Sequence, residues 1–152
     1  MEACELRWRF VDRVDAFDPW HAIAGRKVVS FEEYSLLKPF GRQGAFPESL
    51  VLEACVAMGG WLVAASSGFS LCGTLSEVRR FEWEGPAGMG QVIELAAQVR
   101  GRRGDEIDLE CRADGPDRHI AHGEISLALL PADGLLAASV LEATWKELYG
   151  AA

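Results

Sequence analysis

Residues 47–66 constrain this chain more than any other stretch. Leu50, Val51, Leu52, Ala54, Cys55, Val56, Ala57, Met58, Trp61, Leu62, Val63, Ala64 and Ala65 cover every face of one helix with apolar side chains, and a helix of that kind is buried. Pro47 suits the first helical position, where its missing N–H costs nothing. Glu48 in the first turn suits the positive end of the helix dipole. Ser66-Ser67-Gly68 closes the helix, with Gly68 as a left-handed cap. The length, roughly 30 Å, crosses a small domain. One carboxylate, Glu53, lies in the middle. Such a group is costly to bury as an ion, and burial favours the neutral acid, the form a general acid needs. The plainer reading has Glu53 facing solvent or an arginine. The Gly59-Gly60 pair costs the helix roughly 1 kcal/mol per glycine relative to Ala. Either close packing of a strand or room for a ligand offsets that cost.

The flanking segments read as strands. Residues 6–15 run extended into a first strand, Asp18-Pro19 is a turn signal, and residues 20–30 continue as a strand. Ser30 and Glu33 make a capping box for a short helical turn over residues 31–37, stopped by Pro39. After Gly68 come strands over 69–83, 91–100, 106–113 and 119–130, separated by the Gly-rich segment 85–90, a hairpin turn at 102–105 and a turn at 114–117. In the third of these Ile107, Leu109 and Cys111 alternate with Glu106, Asp108, Glu110 and Arg112, so one face is apolar and one charged. Past Pro131, Val140, Leu141, Trp145 and Leu148 recur at helical spacing, predicting an amphipathic helix that caps the domain or meets a partner. The expected class is α+β. It comprises an antiparallel sheet around one long helix in a domain of residues 1–131, followed by a helical extension over 132–152.

Charge narrows the function. Lys and Arg number 15 against 23 Asp and Glu, a net charge of −8, which disfavours nucleic acid as a partner. The start, Met1-Glu-Ala-Cys-Glu, lacks the basic and apolar regions of a leader, and Glu53 with two glycines interrupts the longest apolar run. A cytoplasmic protein without a membrane span is the expectation. Cys4, Cys55, Cys72 and Cys111 follow no C-x-x-C spacing and read as reduced thiols. No metal site and no cofactor is expected. Of the three histidines, His21 begins the second strand, while His119 and His122 share the last one, where a spacing of three points side chains to opposite faces.

The stretch Pro39-Phe-Gly-Arg-Gln-Gly-Ala-Phe-Pro-Glu-Ser-Leu-Val-Leu-Glu-Ala54 resembles the central-helix region of the 3-hydroxyacyl-thioester dehydratases of fatty-acid and polyketide synthesis, which have the hot-dog fold. Their His-Phe-Pro-Gly motif leads, through a second Pro-Gly, into Leu-x-x-Glu-Ala-x-Ala-Gln. Phe46-Pro47 falls on the second Phe-Pro or Met-Pro step. Leu50 and Leu52-Glu53-Ala54 fall on the helix, Glu53 on the catalytic acid, and Gly60 on a helix glycine. Phe10-Val-Asp-Arg-Val14 is similar to an upstream Leu-Val-Asp-Arg-Val. The resemblance covers roughly residues 7–130. Three positions depart from it. Pro39 stands where the catalytic His belongs, followed by a matching Phe40; Glu48 replaces the Gly before the helix; Ala57 replaces the Gln. Shifting the loop register puts Ala45 at the His position instead.

The resemblance implies an acyl-thioester protein. Glu53 would be the acid, Phe40, Phe46, Ala57 and Gly60 would line the substrate, and acyl carrier protein or acyl-CoA would be the partner. It also implies a homodimer with sites at the subunit interface. Because such sites draw the His and the acid from opposite subunits, a heterodimer with a His-bearing paralogue is a second form. Other readings are a thioesterase of the same fold using Glu53, and a non-catalytic binding subunit. His21, His119, His122 and Tyr34 are the candidates for a substitute base. Arg79 and Arg80 on one strand, with Arg100, Arg102 and Arg103 near a hairpin, stand out in an acidic chain. The five suit an acidic carrier protein, with Arg100, Arg102 and Arg103 as its contacts, or a charged, aggregation-resistant strand edge.

Overall fold

A computed structural model describes residues 10–30, 45–88, 90–133 and 137–150. The expected helical turn at 31–37, Tyr34, Pro39 and Phe40 lie outside them. Strands β1 (Arg13–Asp18) and β2 (Ala22–Val28) form a hairpin. The short β3 (Ala45–Phe46) leads into helix α1 (Glu48–Ser66). Then come β4 (Leu71–Trp83), β5 (Ala87–Gly88), β6 (Val92–Arg103), β7 (Glu106–Asp114), β8 (His119–Pro131) and helix α2 (Ala138–Leu148). Six strands form one antiparallel sheet in the order β1-β2-β6-β7-β8-β4, and β3 pairs with β5 inside the segment read as loop.

The boundaries follow local chemistry. Pro47 is the N-cap of α1, one position before the expected one, and no side chain among the described residues caps it. At the other end the Phe69 N–H reaches the Ala64 carbonyl and the Gly68 N–H the Ala65 carbonyl, a Schellman closure that needs the left-handed Gly68, φ 64°. Gly104 and Asp105 turn the β6–β7 hairpin, so Arg102 and Arg103 belong to the strand rather than to the turn. In β7 the inward residues Ile107, Leu109, Cys111 and Ala113 are buried.

The sheet wraps α1. Val51, Ala54, Cys55, Met58, Leu62 and Val63 pack against inward residues of β2, β4, β6, β7 and β8. By length and composition α1 could cross a membrane, but here its apolar side is engaged by the sheet. Gly59 lies against that sheet: a methyl there would sit 2.6 Å from Leu109 Cδ1 and 3.1 Å from Leu127 Cδ1. Close packing therefore explains Gly59. The helix α2 covers the end of the domain near β1, where Trp145 meets Phe17 at 5.0 Å between ring centroids and Trp61 at 6.0 Å, and Leu148 enters the core.

Asp12, from the Val-Asp-Arg segment of the resemblance, has a structural task. It accepts the Val28 N–H at 2.7 Å and lies 3.5 Å from the ammonium of Lys27, a side chain only 2% exposed. The bend before β1 is thereby tied to the end of β2.

Candidate functional site

The helix α1 is not buried all round. Its sheet side is closed, but Leu50, Leu52, Val56, Ala57, Gly60 and Trp61 are half-buried and Glu53 is exposed. Positions 53, 57 and 60 follow the i, i+4, i+7 spacing and share one flank. Of the two readings for Glu53, burial and exposure, the single chain shows exposure, because the apolar residues around it lie on this open flank and pack only partly against the core. The flank is a narrow apolar strip with one carboxylate; beyond the first turn Glu53 is the only charged residue of α1. At Gly60 the strip meets β4: an added methyl would find only the Gly73 carbonyl oxygen, at 3.9 Å. Gly60 thus leaves room where Gly59 leaves none. At the N-terminal end the Leu50 N–H is taken by the Pro47 carbonyl at 3.0 Å, and the Glu48 and Ser49 N–H groups point out of the helix without a side-chain cap among the described residues. Phe46 is 5% exposed and sits in the core below this end.

The other candidates lie elsewhere. Arg100 is paired with Glu110, its Nε donating at 2.6 Å. Arg103 donates to both oxygens of Asp108 at 3.2 Å, and the Arg102 guanidinium lies 4.8 Å from the Trp20 ring. These arginines sit on the stretch of β6 that runs past its ladder with β2, which ends at the Ala22–Gln98 pair, and is paired with β7 alone; the carboxylates of β7 partner Arg100 and Arg103. Arg79 reaches Asp108 at 3.2 Å, and Arg80 lies 3.9 Å from Glu124. His21 is at the surface, 3.7 Å from Asp18. Cys55 and Cys111 meet at the helix–sheet interface, where the hydrogen bond to Cys111 and burial push the Cys55 thiol well above its ordinary range. Neither is a nucleophile. A depression of about 470 Å³ crosses β1, β2, β6 and β7, lined by Ala16, Ala24, Ala96, Gln98, Glu110 and Arg112 among others. Its three charged groups, Asp18, Glu110 and Arg112, face His21, Arg100 and Asp114 in turn, so the flank of α1 is the better candidate.

His119 and His122 do not diverge as their spacing predicts. Their imidazole nitrogens lie 3.0 Å apart. The cause is a bulge: Ala113 faces Ala121 while Asp114 faces His119, so β8 spends one extra residue, Ile120, against β7. The extra residue resets the alternation and brings both imidazoles to the outer face beside Asp114 and Arg112. Nothing in the local sequence announces it.

No protein-family model matches the sequence, and no curated protein matches it. Solved structures do. The chain is similar to a Streptococcus mutans protein bound to acetyl-CoA, with TM-score 0.65, 10% identity, and coverage of 86% of this chain and 98% of that one. A hypothetical thioesterase from Streptococcus pneumoniae, solved with coenzyme A, gives TM-score 0.63 and 9% identity over 78% of this chain and 85% of that one. A hot-dog-like protein from Thermanaerovibrio acidaminovorans gives TM-score 0.64 and 15% identity over 86% and 92%. The class is therefore settled: this is a hot-dog fold, a six-stranded antiparallel sheet around a central helix, with α2 added at its end. None of the three neighbours is described as a dehydratase. The fold implied by the resemblance stands, and the dehydratase family remains a matter of function.

Proposed function

We propose that this protein binds acyl-CoA thioesters along the open flank of α1 and hydrolyses them with Glu53. The observation that carries the reading is the lone carboxylate on an apolar strip, in a fold whose solved neighbours were captured with coenzyme A and acetyl-CoA. The apolar strip receives the acyl chain. The uncapped N–H groups of α1 offer hydrogen bonds to the oxyanion that forms at the thioester carbonyl. Glu53, ionised, takes a proton from water as the water oxygen adds to the carbonyl carbon. The C–S bond then breaks, and the proton passes to the leaving thiolate, giving free acid and coenzyme A thiol. Thiol release from a panel of acyl-CoAs is the test, with Glu53→Gln beside wild type. We expect kcat to fall by about 100-fold or more, with an unchanged melting temperature. Absence of turnover in wild type, or full turnover in Glu53→Gln, overturns the reading.

A second reading, dehydration of 3-hydroxyacyl carrier-protein substrates, rests on the Leu52-Glu53-Ala54 match behind Phe46-Pro47. It puts Glu53 in the role of acid toward the leaving hydroxyl, with the carrier protein received at Arg100, Arg102 and Arg103. Mass spectrometry of such a substrate separates the two: loss of water supports dehydration, free acid supports hydrolysis. Carrier-dependent turnover that survives Arg102→Glu with Arg103→Glu removes the carrier surface from the proposal.

A further inference from the structure

We infer that Glu84, His119 and His122 form a site for one divalent transition-metal cation of the zinc class, on the sheet face opposite α1. Three donors converge there from two strands. His119 Nε2 lies 3.0 Å from His122 Nδ1. The Glu84 carboxylate, just past the end of β4, reaches His122 Nδ1 at 3.4 Å and His119 Nε2 at 3.8 Å. The donor atoms all lie within 4.8 Å of one another. A tetrahedral ion with bonds of 2.0–2.1 Å asks for donor separations of about 3.3 Å, so small turns of the two rings complete the geometry.

The outer nitrogens give the stronger argument. His119 Nδ1 is hydrogen-bonded to Asp114, and His122 Nε2 lies 3.0 Å from the Glu82 carboxylate. A carboxylate only accepts, so each outer nitrogen carries the proton. In neutral rings this leaves Nε2 of His119 and Nδ1 of His122 as two lone pairs facing one another. Two acceptors at that distance repel, and a shared cation relieves the repulsion. Carboxylates behind ligating imidazoles also fix tautomer and ring orientation, which is how metal-binding histidines are held. Arg112 fixes Asp114 in turn, its Nε donating at 2.7 Å. Two imidazoles and a carboxylate suit zinc, nickel or copper better than magnesium or calcium. Glu84 is 47% exposed and His122 31%, so an ion enters from solvent and water fills its remaining positions. Bound there, the ion staples the ends of β4 and β8.

Calorimetric titration of chelator-stripped protein with ZnCl2 and, separately, MgCl2 tests the site. We expect one saturable Zn2+ equivalent per chain, lost in His119→Gln and His122→Gln and unchanged in His21→Gln. Asp114→Asn should weaken it about 10–100-fold through ring orientation alone. Co2+ loading should give visible d–d bands that disappear in Glu84→Gln, an exposed change that leaves the core intact. Circular dichroism confirms that each variant is folded. Three outcomes overturn the inference: no saturable Zn2+ uptake by wild type, uptake retained in both histidine variants, or equal binding of Mg2+. The first, with NMR detection of a proton shared between the two rings, would assign the pair to a proton instead.

Discussion

Asp108 shows how one side chain ties four strands together. Its carboxylate accepts the fully buried Ser126 hydroxyl at 2.7 Å and meets Arg103 and Arg79, each at 3.2 Å. The Ser126 hydrogen bond, then Arg103, hold its carboxyl below the usual carboxylate range against the opposing effect of burial. The folded chain therefore releases this proton more readily than the unfolded chain does. The resulting stabilisation is complete above the unfolded carboxylate value, near about pH 4, and is lost as pH falls through the lower folded value. Asp108→Asn should cost about 1–3 kcal/mol at neutral pH. Urea denaturation at stepped pH should show the gap between variant and wild type closing in acid. A gap that stays constant from neutral pH to pH 3 would assign the loss to packing rather than to charge.

At the scale of elements, α1 carries both the core and the site on adjacent stripes. The two glycines divide between them, which gives a paired expectation. Gly59→Ala pushes a methyl into Leu109 and Leu127, and the overpacking cost of about 1–3 kcal/mol exceeds the gain in helix propensity. Gly60→Ala meets only open space beside Gly73 and should stabilise the chain by roughly 1 kcal/mol. The same methyl narrows the proposed acyl strip, so KM should rise while the melting temperature rises too. A Gly60→Ala variant with unchanged KM would take Gly60 out of the strip. Much of this was legible in the sequence, because apolar periodicity reports burial: α1, the alternation of β7 and the helical spacing of α2 all follow from it. Periodicity says nothing about which part of an all-apolar helix stays open, so it did not decide between a buried and a solvent-facing Glu53; the side chain is exposed. Nor does it register a bulge. The convergence of His119 and His122 depends on one extra residue opposite β7, a property of pairing between strands rather than of either strand alone.

At the scale of the molecule, the open flank of α1 and the open edge of the sheet adjoin. The edge is β4, 13 residues long and exposed along most of its length, with Leu75 36% and Val78 40% exposed. An edge strand of that length is a template for pairing, and Gly73 on it borders Gly60 on the strip. A second copy docking antiparallel along β4 would pair its ladder groups, cover Leu75 and Val78, and wall in the flank that carries Glu53. The homodimer implied by the dehydratase resemblance would give the proposed site its missing wall: in one chain Glu53 lies exposed on an open strip, and an acyl chain calls for a concave, largely apolar enclosure. Leu75→Lys with Val78→Lys places like charges on both copies across such a contact and leaves the core untouched. We expect light scattering at micromolar concentration to show a dimer for wild type and a monomer for the double variant. Thiol release should fall at least about tenfold while circular dichroism is preserved, an effect of about 1.4 kcal/mol or more on the barrier. A wild type that is monomeric and fully active would show that one chain completes the site alone. A double variant that stays dimeric would move the contact off β4.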